Sequence, residues 1–342
     1  MARKSSIKRS KSRRILMKIF ITRRIPGSAL DKLKEVGDVT ISPYDRPIQL
    51  EELIAGVRDA DALLCLLNDH IDAKVMEMAP NLKIIANYAV GFDNVDVAAA
   101  TERGIVVTNT SSDEVSEAVA EFSWALILSL SRRIIEGDEF GRKGAYQGWE
   151  PDLFLGRDVY GKTLGIVGLG RIGVMVARRA RGFKMKVLYN KRERDEKAEQ
   201  ELGVEFRDLD SLLAEADFVT LHVPLSKETR HLISEAQLAK MRPTSYLINT
   251  SRGGVVDEHA LVSALKSGKI AGSALDVHEN EPEMNPELLM MENVILTPHM
   301  ASATEEVREK MTSQAVEAIV KTLAGEKPEN LINPEVWEKR KK

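Results

Sequence analysis

Three short segments carry the side chains best suited to acid–base chemistry on a small anion. The run LINTSRGG (residues 247–254) sets Arg252 just after an apolar stretch. GSALDVHENEP (272–282) sets Asp276, Glu279 and Glu281 after a second, and VILTPHMASAT (294–304) sets His299 after a third. A guanidinium grips a carboxylate with a rigid fork of donors. A histidine exchanges a proton near neutral pH, and a carboxylate on its other nitrogen favours the charged ring. An Arg, a Glu and a His delivered to one edge therefore describe proton transfer to a substrate held by its negative charge. Other histidines compete for the role. His222 in LHVP (221–224) and His278, two residues past Asp276, also follow apolar runs. His222 reads as lining a cofactor groove and His278 as a decoy. His70, His231 and His259 fall outside these strand ends and read as solvated.

A glycine turn supplies the second piece of chemistry. GLGRIG (168–173) follows the apolar LGIV (164–167) and opens a helical pattern. In that context Gly168 permits a tight turn, Gly170 leaves room for a pyrophosphate, and Gly173 lets a helix pack closely on a sheet. The helix start then offers free N–H groups and a positive dipole end to phosphate. The next strand ends on Asn190, followed by Lys191 and Arg192, with no acid before Glu193. An acid at that strand end would take the ribose hydroxyls and repel a 2′-phosphate. Its absence beside two cations favours NADP(H) over NAD(H), with dual use left open.

These residues need a scaffold that puts strand ends side by side. Strand-like and helix-like patterns alternate nearly throughout, which predicts parallel sheets covered by helices, an α/β protein. Strands are expected at 18–22, 39–41, 62–66, 83–87 and 105–108, with helices at 28–36, 50–55, 73–78 and 95–103 between them. A long amphipathic helix is expected over 114–135, then a polar loop over 137–161 as the crossover. The second series should place strands at 163–168, 186–189, 204–206, 218–223, 246–249, 270–275 and 294–296. Its helices are expected at 172–182, 209–214, 235–241 and 258–267. A last helix, about 303–323, has no strand of the second series after it and is expected to pack back on the first.

At 342 residues the chain has room for two domains, and its composition is that of a globular protein, 43% hydrophobic and 30% charged. The apolar runs are too short to span a bilayer. One cysteine, Cys65, excludes an intramolecular disulfide and a cysteine-built zinc site. Residues 1–16 hold seven basic residues and no acid, so the formal charge of −3 hides about −10 on the rest. An acidic body repels nucleic acid, and no nucleic-acid or membrane partner is expected. The basic segment lacks the apolar core of a secretory signal. It reads as a disordered tail, and the protein as cytoplasmic.

The sequence resembles the D-isomer-specific 2-hydroxyacid dehydrogenase family, most of all its glyoxylate/hydroxypyruvate reductase branch. NYAVGFDNVD (87–96), GKTLGIVGLGRIG (161–173), HVPLSKETRHLI (222–233), NTSRG (249–253) and TPHMASAT (297–304) carry the likeness, in order from about Met17 to Asn333. The resemblance implies two Rossmann-like domains: a flavodoxin-like substrate domain (17–114 and 302–335) interrupted by an inserted NAD(P)-binding domain (115–301). It puts the family's catalytic arginine on Arg252, its glutamate on Glu281 rather than Glu279, and its acid–base histidine on His299. The cofactor residues it implies are Gly168, Leu169, Gly170, Arg171, Ile172 and Gly173 at the turn, and Asn190, Lys191 and Arg192 beyond the next strand. Further along they are His222, Val223, Pro224, Thr229, Thr250, Ser251, Arg252, Asp276 (the nicotinamide amide), His299 and Ala301. Substrate contacts fall on Leu67, on main-chain N–H groups of Val90 and Gly91, and on Arg252 and His299. The region of the 114–135 helix is expected to form much of a homodimer interface.

The resemblance implies NAD(P)H-dependent reduction of a small 2-keto acid, with no metal needed. The loop LCLLND (64–69), which the alignment turns to the site, holds no Lys or Arg to meet a phosphate, so glyoxylate and hydroxypyruvate are expected over phosphohydroxypyruvate. A phosphoglycerate dehydrogenase, another D-2-hydroxyacid dehydrogenase, and a non-catalytic dinucleotide-sensing corepressor of the same fold stay open as alternatives. Three departures from the family pattern stand out. NTSSD (109–113) lacks the usual proline, Ala301 replaces a glycine, and Asn190 replaces the NAD-selecting aspartate.

Overall fold

The computed structural model describes residues 17–341, so the expected tail at 1–16 lies outside the described residues. The chain divides into two compact units: the residues up to Ser111 with those from Glu309 onward, and Ser112–Arg308.

The first unit holds a parallel sheet of five strands: β1 (Met17–Ile21), β2 (Gly37–Ile41), β3 (Ala62–Leu66), β4 (Ile84–Tyr88) and β5 (Val106–Thr108). Their order is β2-β1-β3-β4-β5, the flavodoxin-like arrangement. All five residues of β4 and the first four of β3 are buried, as expected of strands covered on both faces. The last helix, Glu305–Ala324, joins this unit from Glu309. Glu309 accepts from the Ser28 hydroxyl at 2.7 Å, and the Thr312 hydroxyl donates to the Pro26 carbonyl at 2.5 Å.

The second unit holds seven strands: β6 (Thr163–Val167), β7 (Lys186–Asn190), β8 (Glu205–Phe206), β9 (Phe218–Leu221), β10 (Tyr246–Asn249), β11 (Gly272–Leu275) and β12 (Val294–Leu296). The order β12-β11-β10-β9-β6-β7-β8, all parallel, is the doubly wound dinucleotide-binding arrangement with one strand added at its edge. Alternate residues feed two cores. Ile166, Phe218 and Ile248 join Trp124 and Val176 on one face; Val167, Val219 and Leu247 join Leu212 and Leu265 on the other.

The strand register positions the site. Asn190, Val167, Leu221, Asn249, Leu275 and Leu296 are partners across six neighbouring strands. Every loop that follows them therefore leaves from one edge.

Two expectations are corrected. The helix expected over 114–135 is two helices, Asp113–Ser131 and Ile134–Arg142. The returning chain causes the break. Arg157 N–H donates to the Ser131 carbonyl at 2.8 Å, taking the acceptor that a continuing helix would use. Gly156 passes so close that a Cβ would lie 2.4 Å from that carbonyl oxygen. Arg133, at φ 53°, restarts the helix. The loop expected from 137 is thus helical to Arg142. The strongly charged helix Glu196–Leu202 buries only Ala198 and gives little periodic signal. Among the described residues no helix is long and apolar enough to cross a membrane.

Candidate active site

The glycine turn has the shape that a pyrophosphate requires. Gly168 sits at φ 100°, and a Cβ there would lie 2.6 Å from the His222 carbonyl oxygen. A Cβ on Gly173 would lie 2.3 Å from the Gly168 carbonyl oxygen. At Gly170, the N-cap of the helix Arg171–Ala180, a Cβ would meet nothing within 4 Å. Two glycines close the turn and the third leaves open space at a ten-residue helix start, so the residues present fit a dinucleotide phosphate. Leu169 is buried in the core, which leaves its main chain for any ligand contact. Arg171 is exposed and Ile172 half-buried at the first helical turn.

At the end of β7 the three candidate ribose contacts differ. Asn190 donates its amide to the Arg207 carbonyl at 2.9 Å. Lys191 is paired with Asp195 at 2.9 Å. Arg192 is 81% exposed, with Glu228 3.8 Å away.

After β9, His222 bonds the Thr220 hydroxyl through Nε2 at 3.0 Å, and its buried Nδ1 has no partner among the described residues. The residue as a whole is half-buried, but its ring nitrogens are withdrawn from water. Burial pushes its pKa down to about 3. A ring neutral at ordinary pH is a poor proton donor. Val223 and Pro224 follow it, and the Thr229 hydroxyl donates to the Pro224 carbonyl at 2.6 Å, closing the turn.

After β10, Asn249 shapes the loop. Its oxygen accepts from the Ser251 N–H and hydroxyl, and its amide donates to the Arg252 carbonyl at 2.9 Å. Thr250 is buried with its hydroxyl 2.9 Å from that of Ser123. Arg252 is half-buried, one guanidinium nitrogen donating to the Ser251 carbonyl. The next residue, Gly253, lies against the loop after β11; a Cβ there would come within 2.0 Å of the His278 carbonyl.

The structure brings Glu281 and His299 together. Glu281 Oε2 lies 2.9 Å from His299 Nδ1, and Oε1 accepts from the His278 N–H at 3.0 Å. Burial works against ionisation of Glu281, but the hydrogen bond and charge of His299 outweigh it, so the carboxyl sits below its usual range. With Nδ1 committed to a carboxylate, Nε2 is the nitrogen left for a ligand. His299 takes φ 54°, rare for a residue with a Cβ. Asp276 holds it there. Fully buried, Asp276 accepts from the Thr297 hydroxyl and from the N–H groups of Met300 and Ala301 at 2.6–2.9 Å, while its carbonyl accepts the His299 N–H at 2.8 Å. Three of the roughly four acceptor positions of a carboxylate are thus used inside the protein.

Two histidines read as bystanders prove engaged. His278 is buried, its Nε2 donating to the Thr297 carbonyl at 3.0 Å. His231 is not simply solvated: Nε2 lies 2.5 Å from Glu279. Nothing in the spacing of 231 and 279 announces that contact. His70 and His259 are exposed.

Leu67, Val90 and Gly91 belong to the first unit. The Val90 carbonyl accepts from the Asn109 amide at 2.7 Å and the Gly91 carbonyl from the Asn87 amide at 2.9 Å. Among the described residues, no three His, Cys, Asp or Glu side chains are grouped as a metal would need.

Known proteins share this design. The profile of the D-isomer specific 2-hydroxyacid dehydrogenase NAD binding domain matches residues 124–301. A glyoxylate reductase of Thermococcus kodakarensis is 51% identical over 328 residues, covering 95% of this chain and 98% of its own. A crystal structure of a Thermus thermophilus protein superposes with a TM-score of 0.86 at 42% identity, covering 92% of this chain and all of that one. The NADPH-dependent glyoxylate/hydroxypyruvate reductase of Sinorhizobium meliloti, solved with NADP and malonate, has a TM-score of 0.82 at 31% identity, covering 92% and 96%. With the matched profile spanning half the chain and half of all residues shared with a full-length relative, the chain belongs to the D-isomer specific 2-hydroxyacid dehydrogenase family.

Proposed function

We propose that this dehydrogenase reduces small 2-keto acids, glyoxylate and hydroxypyruvate foremost, with His299 as proton donor. The observation that carries the reading is the 2.9 Å bond from His299 Nδ1 to Glu281 Oε2. It fixes the ring's orientation and leaves Nε2 to present a proton to the substrate. The turn Gly168–Gly173 and the residues Asn190–Arg192 would hold the dinucleotide, with Val223, Pro224, Thr229, Thr250 and Ser251 along the same edge. A reduced nicotinamide supplies the hydride. Arg252 binds the substrate carboxylate and polarises the adjacent carbonyl with its fork of donors. His299 gives its Nε2 proton to the forming alkoxide, while Glu281 holds the ring through Nδ1. Val90 and Gly91, their carbonyls tied back by amides, offer main-chain N–H groups to the substrate carboxylate, with Leu67 beside them.

NADP(H) is the favoured dinucleotide. Asn190 carries no charge to repel a 2′-phosphate. Arg192 is the better cation for it, because Lys191 already has a close carboxylate partner in Asp195. A homodimer is the favoured assembly. Ile134, Trp149, Leu155 and Met290 of the second unit are at least half exposed, apolar surface that a second copy would cover. A mass measurement in solution giving a monomer would remove that part.

The deciding assay follows cofactor absorbance for a panel of 2-keto acids with NADH and with NADPH. Glyoxylate and hydroxypyruvate should turn over, faster with NADPH. Faster turnover of phosphohydroxypyruvate at equal concentration would overturn the substrate assignment, and no turnover of any keto acid would overturn the activity.

A further inference from the structure

The loop that delivers Glu281 carries a second carboxylate two residues earlier, in a setting as constrained as the first. Glu279 Oε1 lies 2.5 Å from His231 Nε2 and 3.6 Å from Arg230 Nη2. Its Oε2 accepts from the Glu258 N–H at 3.4 Å, while the Glu279 N–H donates to Glu258 Oε1 at 2.8 Å. The Glu279 side chain is only 12% exposed, and Glu258 is buried. His231 is held in turn: its N–H donates to the Gly254 carbonyl at 2.8 Å, with φ at 51°. Gly253 abuts the His278–Glu279 peptide. The turn after β9, the turn after β10, the start of the helix Glu258–Lys266 and the loop after β11 all converge on this one carboxylate.

Charge explains why a cation stands there. Two carboxylates, Glu258 and Glu279, are drawn from water side by side, and like charges in a poorly solvated place repel. Arg230 faces Glu279 and supplies the opposite charge, while His231 Nε2 bonds the same carboxylate oxygen. The loop itself has little regular structure; its one internal bridge links Asn280 to Glu283. Without an anchor at 279, Glu281 would rest on the His278 N–H and His299 alone.

We propose that Glu279 and His231 form a positioning pair, a second carboxylate–histidine contact that fixes the loop so that Glu281 meets Nδ1 of His299. The proposal rests on the reading of His299 as proton donor. His231 and Glu279 touch neither substrate nor cofactor; they act through Glu281.

The test uses full-length Glu279→Ala, Glu279→Gln, His231→Ala and His231→Gln. Misplacing a catalytic group by an ångström can cost about 100-fold, and a loop that keeps its other contacts should lose roughly 10-fold in kcat. In the two alanine variants kcat should fall by that amount, with KM for keto acid and for dinucleotide within about twofold, since binding groups are untouched. The glutamine variants keep hydrogen-bonding groups and should recover most of the rate. A lowered Tm with kcat unchanged would mean structural support only and would overturn the proposal. If Glu279→Ala does not fold, His231→Ala carries the same test, because it leaves the loop's own bonds to Glu258 in place. His299→Gln separates the two ideas. If it keeps its turnover, the proton-donor reading falls and this proposal with it. If it is inactive while both alanine variants behave as wild type, only the positioning pair is overturned.

Discussion

The carboxyl edges of the two sheets hold their loops with different chemistry. On the seven-stranded sheet, carboxylates span the loops: Glu281 to His299, Glu279 to His231, and the buried Asp276 to three donors of the 297–301 segment. On the five-stranded sheet an ion pair, Arg23 with Asp45 at 2.8 Å, links the loops after β1 and β2, but amides hold the loops after β3 and β4, where the substrate contacts are proposed. Asn94 donates to the carbonyls of Leu66 and Asp69 at 3.0 and 3.1 Å, its oxygen accepts from the Asn87 amide at 3.0 Å, and Asn87 also reaches the Gly91 carbonyl. Asp69, whose carbonyl joins that network, is buried; burial pushes its carboxyl up against the bonds from the Thr22 hydroxyl and the Leu66 N–H that pull it down. Cys65 beside it is pushed well up by burial too. The contrast follows from what each edge is proposed to do. Moving a proton calls for groups that carry charge. Presenting main-chain N–H groups to an anionic substrate calls for anchors that add no negative charge at those peptides, and the Asn87 and Asn109 amides that tie back the Gly91 and Val90 carbonyls add none.

The contrast breaks first at His299. General acid catalysis is worth about 10²–10⁴-fold, so His299→Gln should lose turnover on that scale while dinucleotide affinity, measured by fluorescence titration, stays as in wild type. His222→Gln should change turnover little, because the buried ring is neutral at working pH. The reverse outcome would move the proton donor to the end of β9.

An amide variant should act on the other kinetic constant. In Asn87→Leu the Gly91 carbonyl loses its donor, and the loop loses the link to Asn94. A net hydrogen bond is worth about 0.5–1.5 kcal/mol, so KM for glyoxylate should rise up to roughly 10-fold with kcat nearly unchanged. A fall in kcat at constant KM would show that both edges serve the same step.

Asp69 sharpens the contrast through pH. Its folded pKa is raised, so the ionised form is disfavoured in the folded state. Stability from this group is therefore fullest below the ordinary carboxylate value and falls as pH rises through the folded pKa. Asp69→Asn removes the penalty while keeping an oxygen for Thr22 and Leu66. The variant should melt slightly above wild type at pH 8, with the difference closing below pH 4. A variant that is less stable at both values would mean that the carboxylate is wanted charged.

Much of this was legible from residue order. Strands 62–66, 246–249 and 294–296 fall where the pattern puts them, because short apolar runs bounded by turn residues describe parallel strands with little ambiguity. The glycine turn was legible because each glycine answers a local steric need. Three things were not, all set by contacts distant in sequence. The helix breaks at Arg133 because Arg157 takes the Ser131 carbonyl. His231 meets Glu279 across 48 residues. Asp276 spends its carboxylate on the loop that carries His299. Periodicity reports which face a residue occupies, not which carbonyl or carboxylate a folded neighbour will claim.

The smallest expected effect lies where the charged edge meets water. Lys191 is bonded to Asp195, so part of its field is already cancelled, whereas Arg192 is 81% exposed with Glu228 at 3.8 Å. A 2′-phosphate would draw mainly on Arg192, through two parallel donors. Exposed pairs are worth about 0–1 kcal/mol, so Arg192→Ala should lower kcat/KM for NADPH by at most about fivefold and leave NADH unchanged. The wild-type advantage of NADPH should also shrink as salt is raised, since screening acts most strongly on charges in water. Asn190→Asp should go further, adding a repulsive charge to the phosphate and an acceptor for the ribose hydroxyls of NADH. If Arg192→Ala weakens both dinucleotides equally, the guanidinium acts on the pyrophosphate or on the fold, and cofactor choice rests on Asn190 alone. If neither variant changes the ratio, the discrimination lies elsewhere along the edge, with Arg171 at the helix start the next cation to test.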